Sequence, residues 1–155
     1  MYNKKVMEQF LNPKNMGEIK NADGVGKVGN MKCGDVMWLF IKIGNAKNKL
    51  VIKDIKFKTL GCAAAIATSS KVTELAKGKT ISDALNITKS SIVDSLGGLP
   101  APKIHCSVLA IDALKEAVYD YFGKHKIEIP ADLEAEHKRI KRELNIAEHI
   151  PSIKN

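Results

Sequence analysis

Near the N-terminus, Val6, Met7 and Phe10 recur at helical spacing and predict a short amphipathic helix over residues 4–11, stopped by Asn12-Pro13. The Asn- and Gly-rich stretch 15–24 reads as loop. Residues 24–29 follow as an edge strand in which Val25 and Val28 are spaced by Gly and Lys. The pattern then changes character. Val36, Met37, Trp38, Leu39, Phe40, Ile41 and Ile43 form a nearly unbroken apolar run, the composition of a strand covered on both faces. Turn chemistry at 44–48 (Gly44-Asn45-Ala46-Lys47-Asn48) leads into a second strand over 50–60. Val51, Ile55 and Phe57 fall on one face of it, and Asp54, Lys56 and Lys58 on the other. An antiparallel hairpin of these two strands returns the chain to its starting end. Cys33, just before the first strand, and Cys62, just after the second, therefore share one end of the sheet.

Period-3.6 spacing dominates from there on. Residues 63–77 open with Ala63, Ala64, Ala65 and Ala67, the strongest helix formers, and stop at Gly78. Ala65, Val72 and Ala76, with Leu75 at the edge, make a narrow stripe suited to close approach to a sheet. Cys62 then sits at the positive end of a helix, where backbone N–H groups favour a thiolate. Residues 80–96 divide into two short helical pieces, around 82–85 and 89–96, ended by Gly97-Gly98. Leu99-Pro100-Ala101-Pro102-Lys103 reads as an extended, exposed loop, because each proline disfavours helix at the residue before it. His105-Cys106-Ser107 opens a long helix whose buried stripe is Val108, Ile111, Leu114, Val118 and Tyr121, closed by Gly123. Beyond it, residues 131–146 form a charge-dense helix with Leu133, Ile140 and Leu144 on one line and Glu134 and Lys138 spaced as an i,i+4 pair. His125, His137 and His149 have no clustered ligands and read as surface residues. The division expected is a core domain over 1–123 and a charged helical extension over 124–155.

Composition narrows the function. The 155 residues suit one domain, and 45% hydrophobic with 27% charged is ordinary for a soluble globular chain. No run of about 18 apolar residues exists to span a membrane. No apolar stretch of signal-peptide length follows Met1-Tyr2-Asn3-Lys4-Lys5, so the expected location is the cytoplasm. In a reducing compartment three cysteines do not make a disulfide framework, and an odd number cannot pair off internally. A buried free thiol is the plainer account of any single cysteine. It is set aside here because all three lie in junctions containing Gly, Pro or Asp. The net charge of +8 invites a nucleic-acid reading, but the lysines are spread along the chain without interleaved aromatics or a recognition motif. A solvated lysine-rich surface, useful for meeting an acidic partner protein, fits better.

The candidate chemistry lies in three stretches, Cys33-Gly34-Asp35, Leu60-Gly61-Cys62 and Ile104-His105-Cys106. A turn at Gly34 would let Cys33 and Asp35 face one ion. His105 and Cys106 offer two ligands at a helix start, and Cys62 comes from a second helix terminus. Thiolates select zinc or iron–sulfur over hard cations, and added nitrogen and carboxylate ligation suits either. A closed structural zinc site shows close pairs such as Cys-x-x-Cys. Here 28 residues separate the first two cysteines and 43 the next two, and a fifth ligand is spare. Spacing leaves zinc binding, iron–sulfur binding and a thiol nucleophile open.

The motifs themselves are more specific. Over about residues 2–123 the chain resembles the IscU/NifU-like family of iron–sulfur cluster assembly scaffolds. The opening Tyr2…Phe10-Leu11-Asn12-Pro13-Lys14-Asn15-Met16-Gly17 is similar to that family's, and Cys33-Gly34-Asp35, Phe57-Lys58-Thr59-Leu60-Gly61-Cys62-Ala63-Ala64-Ala65-Ile66-Ala67 and Lys103-Ile104-His105-Cys106-Ser107-Val108-Leu109-Ala110 match its three cysteine motifs in order. The resemblance implies an α+β fold with a small three-stranded antiparallel sheet and helices on one side. It implies a scaffold, not an enzyme, that takes sulfur as persulfide from a cysteine desulfurase, combines it with iron, and passes a transient 2Fe–2S cluster to recipient proteins or carriers. Cys33, Asp35, Cys62, His105 and Cys106 then fall in the roles of iron or zinc ligands. Cys106 matches the sulfur acceptor, and Asp35 the residue tied to cluster lability. Lys103, beside the site, would act on the thiols electrostatically. A homodimer is one state the family allows. Where the family's chaperone-recognition loop reads Leu-Pro-Pro-Val-Lys, this chain has Leu99-Pro100-Ala101-Pro102-Lys103, which makes a chaperone the weakest of the implied partners. Neither the ferredoxin-like nor the carrier domain of long NifU proteins follows Gly123, so a stand-alone scaffold is expected. The alternative is a zinc-dependent sulfurtransferase of the SufU type, which accepts persulfide without assembling clusters. That group carries an insertion between its second and third cysteine motifs and lacks the His before the third cysteine. This chain has His105 and no such insertion. A structural zinc or simple DNA-binding module is the blandest reading, and the spare fifth ligand argues against it.

Overall fold

The structure is a computed structural model that describes residues 2–30 and 34–148, with residues 144–148 described by backbone alone. Helix α1 (Lys4–Leu11) leads to strands β1 (Gly24–Gly29), β2 (Val36–Ala46) and β3 (Lys49–Leu60). Helices α2 (Ala63–Ala76), α3 (Ile81–Leu85), α4 (Lys89–Ser95), α5 (His105–Lys124) and α6 (Ala131–Glu148) follow. The strands pair antiparallel in the order β1-β2-β3. This is the α+β arrangement with a three-stranded sheet that the motifs implied.

The β2–β3 hairpin forms, but two details differ from the sequence pattern. The turn is Lys47-Asn48, with φ of 52° and 64°, two residues in the left-handed region as a two-residue hairpin turn requires. Gly44 and Asn45 stay in the ladder opposite Val51 and Leu50. In addition, Lys42 pairs with Asp54 but Ile43 with Ile52, which leaves Lys53 as a bulge. The extra residue reverses the alternation, so Ile52, not Val51, shares the buried face with Ile55 and Phe57. Strand β2 is not covered on both faces either. Met37, Leu39 and Ile41 are buried, while Val36, Trp38 and Phe40 are half-buried on the opposite face. Lys27 and Lys58, the cross-strand neighbours of Trp38, place their ammonium groups 5.8 and 5.4 Å from its ring centroid and shield it with their stems.

Helix α5 runs beneath the sheet as the centre of the core. Two strand glycines set how close it comes. A Cβ at Gly24 would lie 2.2 Å from the Ala117 carbonyl oxygen, and one at Gly26 2.3 Å from that of Ala113. Weak strand propensity at these positions is thus traded for helix-on-strand contact. Val108, placed in the buried stripe by spacing, is half-exposed, and Leu109, Ala110, Ala113 and Ala117 are buried instead. The helix also runs past Gly123 to Lys124, with His125 as its C-cap and Lys126 beyond it at φ 54°. Residues 15–17 are not purely loop. Gly17 N–H donates to the Phe57 carbonyl at 2.7 Å and Phe57 N–H to that of Asn15 at 2.9 Å, closing the free edge of β3.

Helix α6 packs on α5 through Leu133 and Ile140, both buried. Its charged groups clamp α5. Arg139 Nη2 donates to Asp112 at 2.8 Å, Lys115 Nζ to Glu136 at 2.8 Å, and His137 Nδ1 lies 2.7 Å from Glu116 Oε2. His137 is therefore not a free surface residue: its ring stacks on Tyr119 with centroids 3.6 Å apart and planes 7° from parallel. Glu136, which also accepts from Arg139 Nε, takes the ion-pair role that spacing gave to Glu134 and Lys138. Leu144 as a packed side chain and His149 lie outside the described residues.

Candidate functional site

The start of β2, the end of β3 and the N-termini of α2 and α5 meet at one end of the sheet. Asp35 enters through a closed loop in which Gly34 N–H donates to the Asn30 carbonyl and Asn30 N–H to that of Asp35, both at 2.9 Å. Gly34 takes φ +71°, a conformation natural to glycine. Cys33 lies outside the described residues. Cys62 is the N-cap of α2, and its side chain makes no capping bond to the helix. His105 and Cys106 are the first residues of α5. Thr68 of α2 donates to the Cys106 carbonyl at 3.2 Å, which fixes one helix start against the other.

These elements bring the predicted residues together. Ligand atoms of Asp35, His105 and Cys106 all lie within 4.8 Å of one another. Cys106 Sγ is 3.7 Å from His105 Nε2. Cys62 joins through Asp35, its thiol 3.8 Å from Oδ2. Asp35 is 4% exposed and Cys106 1%, while Cys62 and His105 are half-buried. Gly61 makes the approach of Cys62 to Asp35 possible. A Cβ there would stand 2.9 Å from Ala65 Cβ and 3.0 Å from the Asp35 carboxyl.

Charge is arranged to match. Lys103 Nζ donates to Cys62 Sγ at 3.8 Å. Cys62 first, then Tyr2, hold that ammonium above the usual lysine range. It lies where it offsets the negative charge of a thiolate, persulfide or sulfide. The segment that carries it is not extended: Ala101–Lys103 forms a 3-10 turn with proline in its first turn, where a missing N–H costs nothing. Tyr2, known from the sequence only as part of an opening motif, packs with Leu99 and Cys62 against Ala64, Ala65 and Cys106. Its hydroxyl is pushed above the usual range, chiefly by burial and then by Cys62, with Cys106 and Asp35 adding to the effect against Lys103. Sequence position gave no sign of this, because residue 2 and the cysteines meet only in three dimensions.

The NifU-like N-terminal domain model matches residues 1–128. The chain belongs to the NifU-like N-terminal domain family. Family members similar to it include "Iron-sulfur cluster assembly scaffold protein IscU 1" of Archaeoglobus fulgidus, 57% identical over 125 residues that span 81% of this chain and 79% of that protein. The IscU scaffold protein of Aquifex aeolicus is 51% identical over 123 residues, 79% of this chain and 77% of its own. The nitrogen fixation protein NifU of Trichormus azollae is 45% identical over 128 residues, 79% of this chain and 42% of that longer protein. Among solved structures, a NifU-like N-terminal domain from Brucella abortus shares the fold with a TM-score of 0.60 at 18% identity, covering 79% of this chain and 94% of its own. A protein from Fervidobacterium islandicum described as a SUF-system scaffold also scores 0.60, at 25% identity over 76% of this chain and 96% of its own. No helix among the described residues is long and apolar enough to cross a membrane.

Proposed function

We propose that this chain is a cytoplasmic scaffold on which an iron–sulfur cluster is assembled and from which it is handed on. The observation that carries this reading is the meeting of Asp35, Cys62, His105 and Cys106, with the Lys103 ammonium beside them, at one end of a sheet. Relatives at 45–57% identity that bear the names of IscU and NifU proteins support it.

Sulfur arrives as the persulfide of a cysteine desulfurase. A thiolate of the scaffold attacks the outer sulfur, the S–S bond of the donor breaks, and the donor's thiolate leaves. Cys106 is the acceptor on this reading; it is 1% exposed in a cluster against which Tyr2, Cys62 and Leu99 pack, so this cover must open before it can act. Lys103 offsets the charge of the arriving sulfur. Ferrous iron enters the same pocket. Of the four electrons that turn two bound sulfane sulfurs into sulfide, breaking the acceptor's S–S bond each time, two come from the two ferrous ions, which become ferric, and two from an external reductant. The product is a 2Fe–2S cluster whose four terminal positions are drawn from Cys33, Asp35, Cys62, His105 and Cys106. Asp35 makes the hold temporary, because a hard carboxylate oxygen is a poor partner for iron already bound to soft sulfide. Zinc, which accepts sulfur, nitrogen and carboxylate donors, fits the same residues. The surplus of positive charge, +8 over the chain, speeds encounter with acidic partner surfaces.

The test is anaerobic incubation with a cysteine desulfurase, cysteine, ferrous iron and a reductant, followed by transfer to an apo-ferredoxin. The visible absorption of a 2Fe–2S centre on the scaffold, and then on the ferredoxin, is the expected result. Uptake of persulfide with zinc retained and no such absorption would instead identify a sulfurtransferase.

A further inference from the structure

Asn3 precedes α1 and uses both ends of its side-chain amide. Its Oδ1 accepts from Val6 N–H at 2.9 Å and so caps the helix. Its Nδ2 reaches 93 and 95 residues along the chain, donating to the carbonyls of Leu96 at 2.9 Å and Gly98 at 3.3 Å. Those carbonyls flank Gly97, which takes φ +73°, and a Cβ on it would lie 3.3 Å from the same nitrogen. Next in sequence on one side is Tyr2. Immediately beyond the other is Leu99, then the turn that ends at Lys103. Tyr2 and Leu99, together with Cys62, are the partly buried hydrophobic side chains that pack against the Ala64, Ala65 and Cys106 cluster among the described residues. One amide therefore ties together the two segments that cover the site.

We propose that Asn3 is a positioning residue of the site: through Nδ2 it fastens the Gly97–Gly98 turn to the N-terminal segment, and this clasp keeps Tyr2 and Leu99 closed over Cys106. The proposal rests on the reading of Cys106 and its neighbours as the functional cluster. A buried sulfur meets a reagent only when its cover opens, and the opening equilibrium sets the rate. Two hydrogen bonds hold the cover, each contributing about 1 kcal/mol, so their loss raises the open fraction at least about tenfold.

The capping and clasping roles separate cleanly. Asn3→Asp keeps an acceptor for the helix cap but has no donor for Leu96 and Gly98. Asn3→Ser keeps the cap on a side chain one atom too short to reach those carbonyls, and Asn3→Ala loses both roles. The measurement is alkylation of the reduced, metal-free full chain with iodoacetamide, resolved by cysteine with mass spectrometry. Ile140→Ala, which loosens α6 far along α5, is brought with mild urea to the same global stability as each variant. All three Asn3 variants are expected to alkylate Cys106 about tenfold faster than the parent, while Ile140→Ala at matched stability does not. Parent-like rates at Cys106 in the Asp and Ser variants, or an equal acceleration in Ile140→Ala, would overturn the clasp. Alkylation needs neither iron nor a sulfur donor, so this result and the outcome of cluster assembly are read independently.

Discussion

Gly61→Ala probes the site without touching a ligand. The added methyl would lie 2.9 Å from Ala65 Cβ and 3.0 Å from Asp35 Cγ and Oδ1. Comfortable carbon contacts begin near 3.5 Å, so roughly half an ångström or more must be found on each side. Ala65 cannot easily yield. It is buried in α2, which is held by Thr68 to the Cys106 carbonyl and by Ser70 Oγ, accepting at 2.8 Å, to the Lys14 N–H. The Asp35 carboxyl is what moves, away from the triad with His105 and Cys106. Overpacking of this kind costs about 1–3 kcal/mol of stability. Displacing a ligand by such a distance weakens metal binding about 10–100-fold, the usual effect of losing a positioning contact. Zinc affinity from competition with a chromophoric chelator reads the second quantity, and a urea titration the first. In a double-mutant cycle with Asp35→Ala the two zinc effects should not add, because the carboxylate is the shared target. Parent-like zinc affinity in Gly61→Ala, or full additivity in the cycle, would mean that the Asp35 carboxyl is not displaced.

Three other outcomes follow from the same geometry. Asp35→Ala should lower zinc affinity yet lengthen the lifetime of an assembled cluster, measured by the decay of its visible absorption after a recipient is added; abolished assembly with no longer-lived product would contradict the release role. Gly26→Ala forces a Cβ to 2.3 Å from the Ala113 oxygen and 2.6 Å from the Ala117 nitrogen, so α5 must lift from β1; a loss of about 3 kcal/mol or more is expected by urea unfolding. Glu136, bonded to Lys115 and Arg139, is held down at about 2 from an ordinary 4.5. A lowered folded value gives stability that is present above pH 4.5 and lost as pH falls toward 2. The stability difference between the parent and Glu136→Gln should shrink over that window, and a difference independent of pH would remove Glu136 from the clamp.

The site was legible because its residues are chemically loud. Cys, His and Asp at junctions, in three co-ordered motifs, pointed to one end of a hairpin, and Asp35, Cys62, His105 and Cys106 are found there. Strong periodicity likewise gave α1, α2, α5 and the hairpin. What escaped depends on contacts that no local pattern encodes. The Lys53 bulge is a single unpaired residue that leaves a plausible alternation on either side of it. His137 seemed solitary because its partners, Glu116 and Tyr119, are about twenty residues away on another helix. Ala101–Lys103 curls into a turn despite Pro102, because proline is tolerated at the start of a short helix, while Pro100 before it stays extended. Tyr2 entered only as part of an opening motif, and Asn3 carried no signal. Their meaning comes from the Gly97–Gly98 turn and the two helix starts they meet.

A scaffold whose dispersed ligands build a sulfide-containing product differs from one that merely holds an ion by carrying acid-labile sulfide together with iron. The most direct measurement is the iron and acid-labile sulfide content of the protein after anaerobic assembly and removal of unbound reagents. Iron and sulfide in equal amounts, both abolished by Cys106→Ser, is the predicted result. Zinc at one equivalent with persulfide but no acid-labile sulfide would contradict it.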